Sequence, residues 1–225
     1  MSAPPNEAPH ATEARRHNGT ALFIIDIQKD LALNEATQIP HAERVKSATT
    51  AILASARRLL VRTTTTNDII VFVQHHEPLE RGPLQKSTTA WELVFEPTEE
   101  GLRSGREIVV EKDTRDTFES NPHLAPELKA RGISEIVACG IQSECCVQST
   151  CLGALTAGFV VTLLQGAHST YDVGDESAVE IEREVEALVV ENGGRVLDWK
   201  SVSAFWDYGS LPVVERGLSL ASFQF

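Results

Sequence analysis

Cys146 is the side chain of this sequence that is best placed for covalent chemistry. It follows an apolar run at residues 136–139 and a polar turn at 142–144, near the start of a predicted helix over 145–157. A strand that turns sharply into a helix points its first helical side chains and N–H groups away from the sheet. The helix dipole would there lower the pKa of Cys146 and favour the thiolate, which attacks carbonyl carbon. The alternative for a single cysteine is an inert, buried thiol.

Three other chemically useful residues also end apolar runs. Asp26, His75 and Lys112 each come directly after a short stretch of mostly apolar residues. A buried ammonium group without a partner is unfavourable, so Lys112 needs a counter-charge, and Asp26 can supply it. Two alternatives remain open: Asp26 caps a turn, or Lys112 belongs to a surface charge cluster with Asp113.

The sequence His75-His76-Glu77 contains residue types that bind metals. Adjacent side chains of a strand point to opposite faces, so His75 and His76 are not expected to share one ion. A hydrogen-bonding role for His75 at the edge of the sheet is favoured over a metal site.

Strand and helix patterns alternate along the chain. Continuous apolar runs of strand length are typical of parallel sheets that helices cover on both faces. The sequence therefore predicts an α/β protein with a Rossmann-like three-layer α/β/α fold and a six-stranded, mostly parallel sheet. The predicted strands cover residues 20–27, 68–74, 106–111, 136–139, 159–164 and 195–199, and the predicted helices cover 42–60, 122–130, 145–157 and 176–191.

This topology brings the four chemically useful residues together. Right-handed crossovers place the carboxyl ends of parallel strands at one edge of the sheet. Asp26, His75, Lys112 and the turn with Cys146 would meet at that edge, where open α/β sheets bind their ligands. Packing alone does not explain such a convergence, which predicts a catalytic site for a small-molecule substrate.

Charge and cysteine usage narrow the classes of partner. The net charge of −12 argues against nucleic acid and anionic membranes, because both require a basic surface. We expect no transmembrane helix and no signal peptide, since no sufficiently long apolar run occurs. Four cysteines within residues 139–151 form neither a disulfide framework nor a zinc motif, which predicts a reducing, cytoplasmic location.

The chain is predicted to have three parts. Residues 1–18 lack an apolar period and are predicted to be a disordered tail. Residues 19–200 are predicted to form one domain, in which Trp91 of the long segment 77–105 either walls the ligand pocket or anchors the segment's own small core. Residues 201–225 are rich in aromatic side chains and are predicted to pack on the domain or on a second subunit.

Several motifs make the sequence similar to the isochorismatase-like cysteine hydrolases over roughly residues 20–199. The segment GIQSECCVQST resembles the family's G-x-x-[TS]-x-x-C-V-x-x-T turn, FIIDIQ resembles its strand ending in D-x-Q, and VVEKDTRDTF resembles its Lys segment. FVQHHEP, TAWEL and AHSTYD are similar to the streptothricin-hydrolase-like branch. The resemblance implies the isochorismatase-like hydrolase fold and a homodimer or homotetramer.

The resemblance also implies roles for individual residues. Cys146 would be the nucleophile, Asp26 the base that takes its proton, and Lys112 the cation, in hydrolysis of an amide or lactam C–N bond through a thioester. A cis peptide bond between Ile141 and Gln142 would aim the N–H groups of Gln142 and Cys146 as an oxyanion hole. The candidate substrate-binding residues are Gln28, His75, Trp91, Phe118 and His168.

The sequence departs from the family pattern in three places. Asp116 stands where Ser is usual, which is expected to change the polarity near Phe118. Gly166 stands where the family often has Asp, so a supporting hydrogen bond is expected to be missing there. Nicotinamidases of this family bind a metal through an Asp-x-His pair, which the sequence lacks. No metal and no cofactor are therefore expected.

Two alternatives to amide hydrolysis remain. Vinyl ether hydrolysis of the isochorismatase type would need Asp26 but not Cys146. A non-catalytic interaction or redox-responsive protein on the same scaffold is the other alternative, since folds of this kind host unrelated functions. The vicinal pair Cys145-Cys146 and the aromatic C-terminal residues motivate it.

Overall fold

A single six-stranded sheet forms the centre of the protein. The computed structural model describes residues 19–63 and 66–201. All neighbouring pairs among the described strands are parallel, in the order β3-β2-β1-β4-β5-β6. The strands are β1 (Gly19–Ile25), β2 (Ile69–His75), β3 (Glu107–Lys112), β4 (Ile133–Ile141), β5 (Val160–Ser169) and β6 (Arg195–Asp198).

Seven α-helices and one π-helical turn accompany these strands in the described residues. The helices are α1 (Lys29–Ala32), α2 (Ala42–Arg62), α3 (Glu99–Ser104), α4 (Thr117–Ser120), α5 (Leu124–Ala130), α6 (Gln148–Thr156) and α7 (Ala178–Glu191). The π-helical turn covers Ser143–Val147, directly before α6.

Side chains of the central strand β1 alternate between two separate cores. Phe23 and Ile25 belong to the core that α4 to α7 cover, whereas Leu22 and Ile24 belong to the core that α2 covers. Side chains of a strand point alternately to its two faces, so an apolar run buries both faces only between two helical layers. The three-layer α/β/α fold predicted from the sequence is confirmed.

Several predicted helix boundaries are wrong. Helix α7 begins at Ala178, because Ser177 rather than Asp175 is its N-cap and forms a capping box with Glu180. Helix α5 begins at Leu124 with His123 as N-cap, two residues later than predicted. The short helices α3 and α4 lie in segments where the sequence predicted none.

Strand β5 extends five residues beyond the predicted end at residue 164. Its pairing with β4 shifts: Ala138 lies opposite Leu163, but Gly140 lies opposite His168. The extra residues of β5 include Gly166, whose φ of +78° suits a residue without a side chain. This irregularity brings His168 beside the end of β4, where the candidate site begins.

Two of the predicted segments lie outside the described residues. These are the tail over residues 1–18 and, except for Ser201, the extension over 201–225. In the described part of the chain, no helix combines the length and apolar character that crossing a membrane would require.

Candidate active site

Four adjacent strands bring their carboxyl ends together around one ammonium group. Lys112 Nζ lies 2.7 Å from Asp26 Oδ2, 3.1 Å from Cys146 Sγ and 3.3 Å from His75 Nδ1. Asp26 follows β1, His75 ends β2, Lys112 ends β3, and Cys146 lies in the turn after β4. The structure therefore confirms the prediction that these four residues lie together.

Lys112 and Asp26 form a buried ion pair, with side-chain exposures of 0% and 1%. Burial by itself lowers the pKa of Lys112, but the charge of Asp26 and the contact with Cys146 outweigh burial and raise it. The ammonium group also donates to Thr114 O at 3.1 Å. Lys112 is therefore a fixed cation rather than a proton donor at neutral pH.

Close packing of β4 on β1 sets the position of the turn that carries Cys146. Gly140 has a φ of +144°, and a Cβ at this position would lie 2.1 Å from Ile25 O. Only glycine allows β4 to pass so close to the residue that precedes Asp26.

The expected low pKa of Cys146 is wrong. Cys146 lies inside the π-helical turn, and α6 begins only at Gln148, so the thiol does not occupy the first turn of an α-helix. Burial raises the pKa of Cys146, the charge of Asp26 raises it further, and Lys112 acts in the opposite direction. Cys146 is a neutral thiol at rest, and it needs an acceptor for its proton.

His75 is neutral at pH 7. Burial lowers its pKa, and the positive charge of Lys112 lowers it further. Its Nδ1 faces the Lys112 ammonium and accepts the hydrogen bond, which places the ring proton on Nε2. Nε2 lies 3.9 Å from Glu77 Oε2, so His75 connects the central cation to the carboxylate at the end of β2.

Asp26, His75 and Cys146 offer ligand atoms that all lie within 4.8 Å of one another, a spacing that would suit a metal ion. However, Lys112 Nζ lies within 3.3 Å of an atom of each of them. An ion at the same place would meet the strong repulsion of a buried ammonium group. This set of donors fits an ammonium group better than a metal ion.

The peptide bond between Ile141 and Gln142 is cis, and both residues line the cavity beside Cys146. Gln142 O accepts hydrogen bonds from Cys145 N at 3.2 Å and Val147 N at 3.1 Å. These bonds close the π-helical turn immediately after the cis peptide bond.

A cavity of about 590 Å³ opens in front of Cys146, a volume in the range of small-molecule sites, roughly 300–1,000 Å³. Its walls come from the segments that follow β1 to β5, which supply both acidic and basic side chains. The polar residues that line it include Asp26, Asp30, His75, Glu77, Arg81, Arg115, Gln142 and Tyr171.

Of the predicted substrate-binding residues, His75 lines this cavity, and Gln28, Trp91, Phe118 and His168 do not. Gln28 is fully buried. Its Nε2 donates to His75 O at 2.9 Å and to Trp91 O at 2.7 Å, so it connects the end of β2 to the segment that contains Trp91. Phe118 packs between Phe23 and Phe159 in the core. The apolar ring of Phe118 gains more from burial than from lining a wet cavity.

His168 is fully buried behind the turn that carries Cys146. Its Nδ1 lies 2.8 Å from Ser143 Oγ, and its Nε2 lies 3.4 Å from Glu186 Oε1 of α7. His168 therefore connects the first residue of the π-helical turn to a carboxylate on a neighbouring helix, and it does not line the cavity.

Asp116, which stands where the family pattern usually has Ser, has a local structural role. Asp116 is the N-cap of α4, where its carboxylate accepts from Phe118 N at 2.8 Å. Gly153 of α6 leaves room for it, because a Cβ there would lie 2.3 Å from the Asp116 carboxylate. Burial raises the pKa of Asp116.

Sequence reasoning missed Asp30 and Tyr171 as residues of the cavity wall. Asp30 lies four residues after Asp26, just beyond the same strand end. That spacing was the available signal for Asp30. Tyr171 lies beyond β5, whose true end the apolar pattern does not reveal.

Comparisons with known proteins agree with this fold. Residues 20–201 match the family model described as the isochorismatase domain. A streptothricin hydrolase of Streptomyces noursei is 33% identical over 179 residues, which make up 80% of this chain and 58% of that protein. The chain therefore spans little more than half the length of this relative.

Solved structures with related folds cover most of the chain. A cysteine hydrolase from Pseudomonas syringae is 18% identical with a TM-score of 0.70, over 85% of this chain and 93% of that one. An isochorismatase-like hydrolase from Alkaliphilus metalliredigens is 19% identical with a TM-score of 0.67, over 84% and 99%. At these identities the likeness concerns the fold alone.

Proposed function

The chain belongs to the isochorismatase family of hydrolases, and from this premise we propose that it hydrolyses an amide or lactam C–N bond of a small molecule through a thioester on Cys146. The observation that carries the proposal is the shared ammonium group: Lys112 Nζ contacts both the carboxylate of Asp26 and the sulfur of Cys146. The relative named streptothricin hydrolase supports a C–N bond as the target.

The first step transfers one proton and forms one bond. Asp26 takes the thiol proton of Cys146 as the sulfur attacks the carbonyl carbon of the substrate. Negative charge moves from the carboxylate to the sulfur and then to the carbonyl oxygen. Because Lys112 lies within 3.1 Å of both Asp26 and Cys146, it stabilises the charge on either group.

Collapse of the tetrahedral intermediate completes acylation. The N–H groups of Gln142 and Cys146 would donate to the oxyanion. The C–N bond breaks, the protonated Asp26 returns its proton to the leaving amine, and a thioester remains on Cys146. In the second half, Asp26 takes a proton from water, the hydroxyl attacks the thioester, and the acid leaves as the Cys146 thiol reforms.

Neutral His75 helps to hold the cation in place. It accepts from Lys112 at 3.3 Å without adding a second positive charge next to the thiol. A charged imidazole here would compete with Lys112 for Asp26.

A panel of primary amides, secondary amides and lactams tests the proposal, with released amine or ammonia and the new carboxylate measured by mass spectrometry. Cys146→Ala is expected to lose turnover by a factor on the order of 10³ or more, because the nucleophile is gone. Cys145→Ala is the matched control: it removes the adjacent thiol, which lines the same cavity, and turnover should fall far less than in Cys146→Ala.

Two outcomes would contradict this mechanism. Amide turnover that persists in Cys146→Ala would exclude the thioester. Hydrolysis of vinyl ethers that depends on Asp26 but not on Cys146 would point instead to the isochorismatase type of reaction.

A further inference from the structure

The cavity contains a buried carboxylate that the proposed reaction does not use. Asp30 of α1 is only 6% exposed, yet it lines the cavity. Its Oδ1 accepts from Asn34 Nδ2 at 3.0 Å and from Thr37 Oγ1 at 2.9 Å. Both donors are neutral, and among the described residues no cationic side chain pairs with Asp30. Aspartate is rarely this buried without a cation, so this wall of the cavity is suited to a positively charged ligand group.

An aromatic ring stands on the same wall. Tyr171 lines the cavity, and its hydroxyl donates to Thr37 O, the backbone of the residue whose side chain binds Asp30. Thr37 therefore links the two groups. Burial raises the pKa of Tyr171, and the negative charge of Asp30 raises it further. The face of a tyrosine ring attracts cations, with a stronger effect where water is excluded.

The basic side chains of the cavity lie elsewhere along the sheet. Arg81 and Arg115 follow β2 and β3, whereas Asp30 and Tyr171 follow β1 and β5. Both arginines are exposed, so water and salt screen their charge. The buried charge of Asp30 acts through a less polar medium and has the stronger local effect.

We propose that Asp30 and Tyr171 form a subsite for the ammonium or guanidinium group of a cationic amide substrate. The proposal rests on the proposed function, since the subsite would hold the cation while Cys146 attacks the amide carbonyl. The carboxylate would pair with the charge, and the ring would cover one face of it. A guanidinium group suits this combination best because it is planar and can donate to the carboxylate while it stacks.

Charge-matched thiol reagents test the subsite without knowledge of the substrate. Aminoethyl, hydroxyethyl and sulfonatoethyl methanethiosulfonates are similar in size and carry a positive, no and a negative charge. Each transfers its thioalkyl group to Cys146: a disulfide bond forms, methanesulfinate leaves, and the thiol proton passes to solvent. Modification of Cys146 is followed by site-resolved mass spectrometry in a Cys145→Ser background, and each rate is divided by that for a free small thiol.

The aminoethyl reagent is expected to modify Cys146 at least roughly fivefold faster than the hydroxyethyl reagent, and the sulfonatoethyl reagent more slowly than both. Asp30→Asn keeps an oxygen that can accept from Asn34 and Thr37 but removes the charge. The ratio of the aminoethyl rate to the hydroxyethyl rate should therefore fall to about one. Glu35→Gln is the matched control, since it removes an exposed acid of the same segment that does not line the cavity. Its ratio should equal that of the parent.

Two further variants test the contribution of the Tyr171 ring to the aminoethyl preference. Tyr171→Leu should reduce the aminoethyl preference because the ring is lost, whereas Tyr171→Phe should retain most of it. Because Asp30 is buried, added salt should lower the aminoethyl preference of the parent protein only partly, and this readout needs no variant if Asp30→Asn fails to fold.

Three results would overturn the subsite. If the sulfonatoethyl reagent reacts fastest of the three, the site binds anions through Arg81 and Arg115. Equal rates for all three reagents, or a cation preference that survives in folded Asp30→Asn, would remove the role of Asp30. Thiosulfonate exchange needs no amide hydrolysis, so the subsite and the proposed reaction can fail separately.

Discussion

At the residue scale, the central property of the site is the protonation state of the Cys146 thiol. Its thiol is buried beside a carboxylate, and both features raise its pKa, while Lys112 only partly opposes them. In the proposed reaction the proton is therefore removed during attack rather than beforehand. We propose Asp26 as its acceptor, because the carboxylate lies against the same ammonium group as the sulfur.

Asp26→Asn separates thiol reactivity from catalysis. The variant removes the negative charge that raises the pKa of Cys146 and leaves the cation of Lys112 facing the thiol. The pKa of Cys146 should fall, and the rise of alkylation with pH should move to lower pH. Iodoacetamide should thus modify Cys146 faster than in wild type at neutral pH, while amide turnover falls by about 10²–10⁴ because the base is lost.

Asp113→Asn is the control for this comparison, since Asp113 is an exposed acid adjacent in sequence to Lys112. Its alkylation profile should match that of wild type. Site-resolved mass spectrometry over a pH series measures both variants. Slower or unchanged alkylation in Asp26→Asn would show that the carboxylate does not act on the thiol.

The sequence predicts which residues meet but not how they titrate. Asp26, Lys112 and Cys146 all follow apolar runs, and topology then brings them together. The pKa of Cys146 depends on how deeply the π-helical turn is buried and on which oxygen lies nearby. Both are properties of tertiary packing that local spacing does not contain.

At the element scale, the π-helical turn is held from behind by β5 and α7. The shifted pairing of β4 with β5 places His168 opposite Gly140, within reach of Ser143 at the start of the turn. Glu186 of α7 completes the contact on the other ring nitrogen. In the proposed reaction the turn supplies oxyanion donors, which must be held within a fraction of an ångström to be effective, so this contact should matter for rate.

Ser143→Ala tests that contact. It leaves the buried Nδ1 of His168 without its partner, which should cost about 1–3 kcal/mol of unfolding free energy. Turnover should fall about tenfold with little change in KM, because the turn loses its fixed position while the cavity keeps its shape. Steady-state kinetics and urea denaturation measure the two effects.

Ser177→Ala is the matched control for stability. It removes the N-cap of α7 and should cost about 1 kcal/mol, a loss of similar size at a residue that does not line the cavity. If Ser177→Ala lowers turnover as much as Ser143→Ala does, the effect is one of general stability and the positioning role is wrong.

Element ends were the least predictable feature of this chain. The apolar run of β5 stops at Leu164, and Gln165-Gly166 reads as a turn, yet the backbone continues as a strand because β4 supplies partners beyond the irregularity. Likewise, Ser177 and Asp175 both suit an N-cap, and only the packed helix selects Ser177. Such choices depend on tertiary pairing rather than on local pattern.

At the scale of the whole molecule, both layers of helix bury thiols as well as apolar side chains. Cys139 lies in the core beneath α2, and Cys151 lies in the core on the other face. Burial raises the pKa of each to about 12. The alternation of strands and helices predicted these two layers, whereas oligomeric state and the extension beyond Ser201 stay predictions.

The buried thiols should lower the unfolding free energy as the pH rises into the alkaline range. An unfolded thiol loses its proton near pH 8.5, while the folded protein keeps the protons of Cys139 and Cys151 up to about pH 12. The unfolded state therefore binds fewer protons in this window, and the unfolding free energy falls as pH rises. The expected loss is about 1.4 kcal/mol per pH unit for each thiol, and Cys146 adds to it in the same direction.

Urea denaturation between about pH 8 and pH 11 measures this slope. Cys151→Ala should be less stable at neutral pH because it leaves a small cavity. Its unfolding free energy should, however, fall less steeply with pH, by about 1.4 kcal/mol per pH unit. An equal slope in the variant and in wild type would show that Cys151 does not contribute.

The most direct test of the account is to look for the thioester itself. The protein is mixed with the amide panel, quenched in acid within the first turnovers, and digested for peptide mass spectrometry. The account predicts an acyl group of the substrate's mass on Cys146 and on no other cysteine, and product formation by Cys146→Ala that is lower by a factor on the order of 10³ or more. Turnover at the wild-type rate by Cys146→Ala, with no acyl group on Cys146 in wild type, would contradict it.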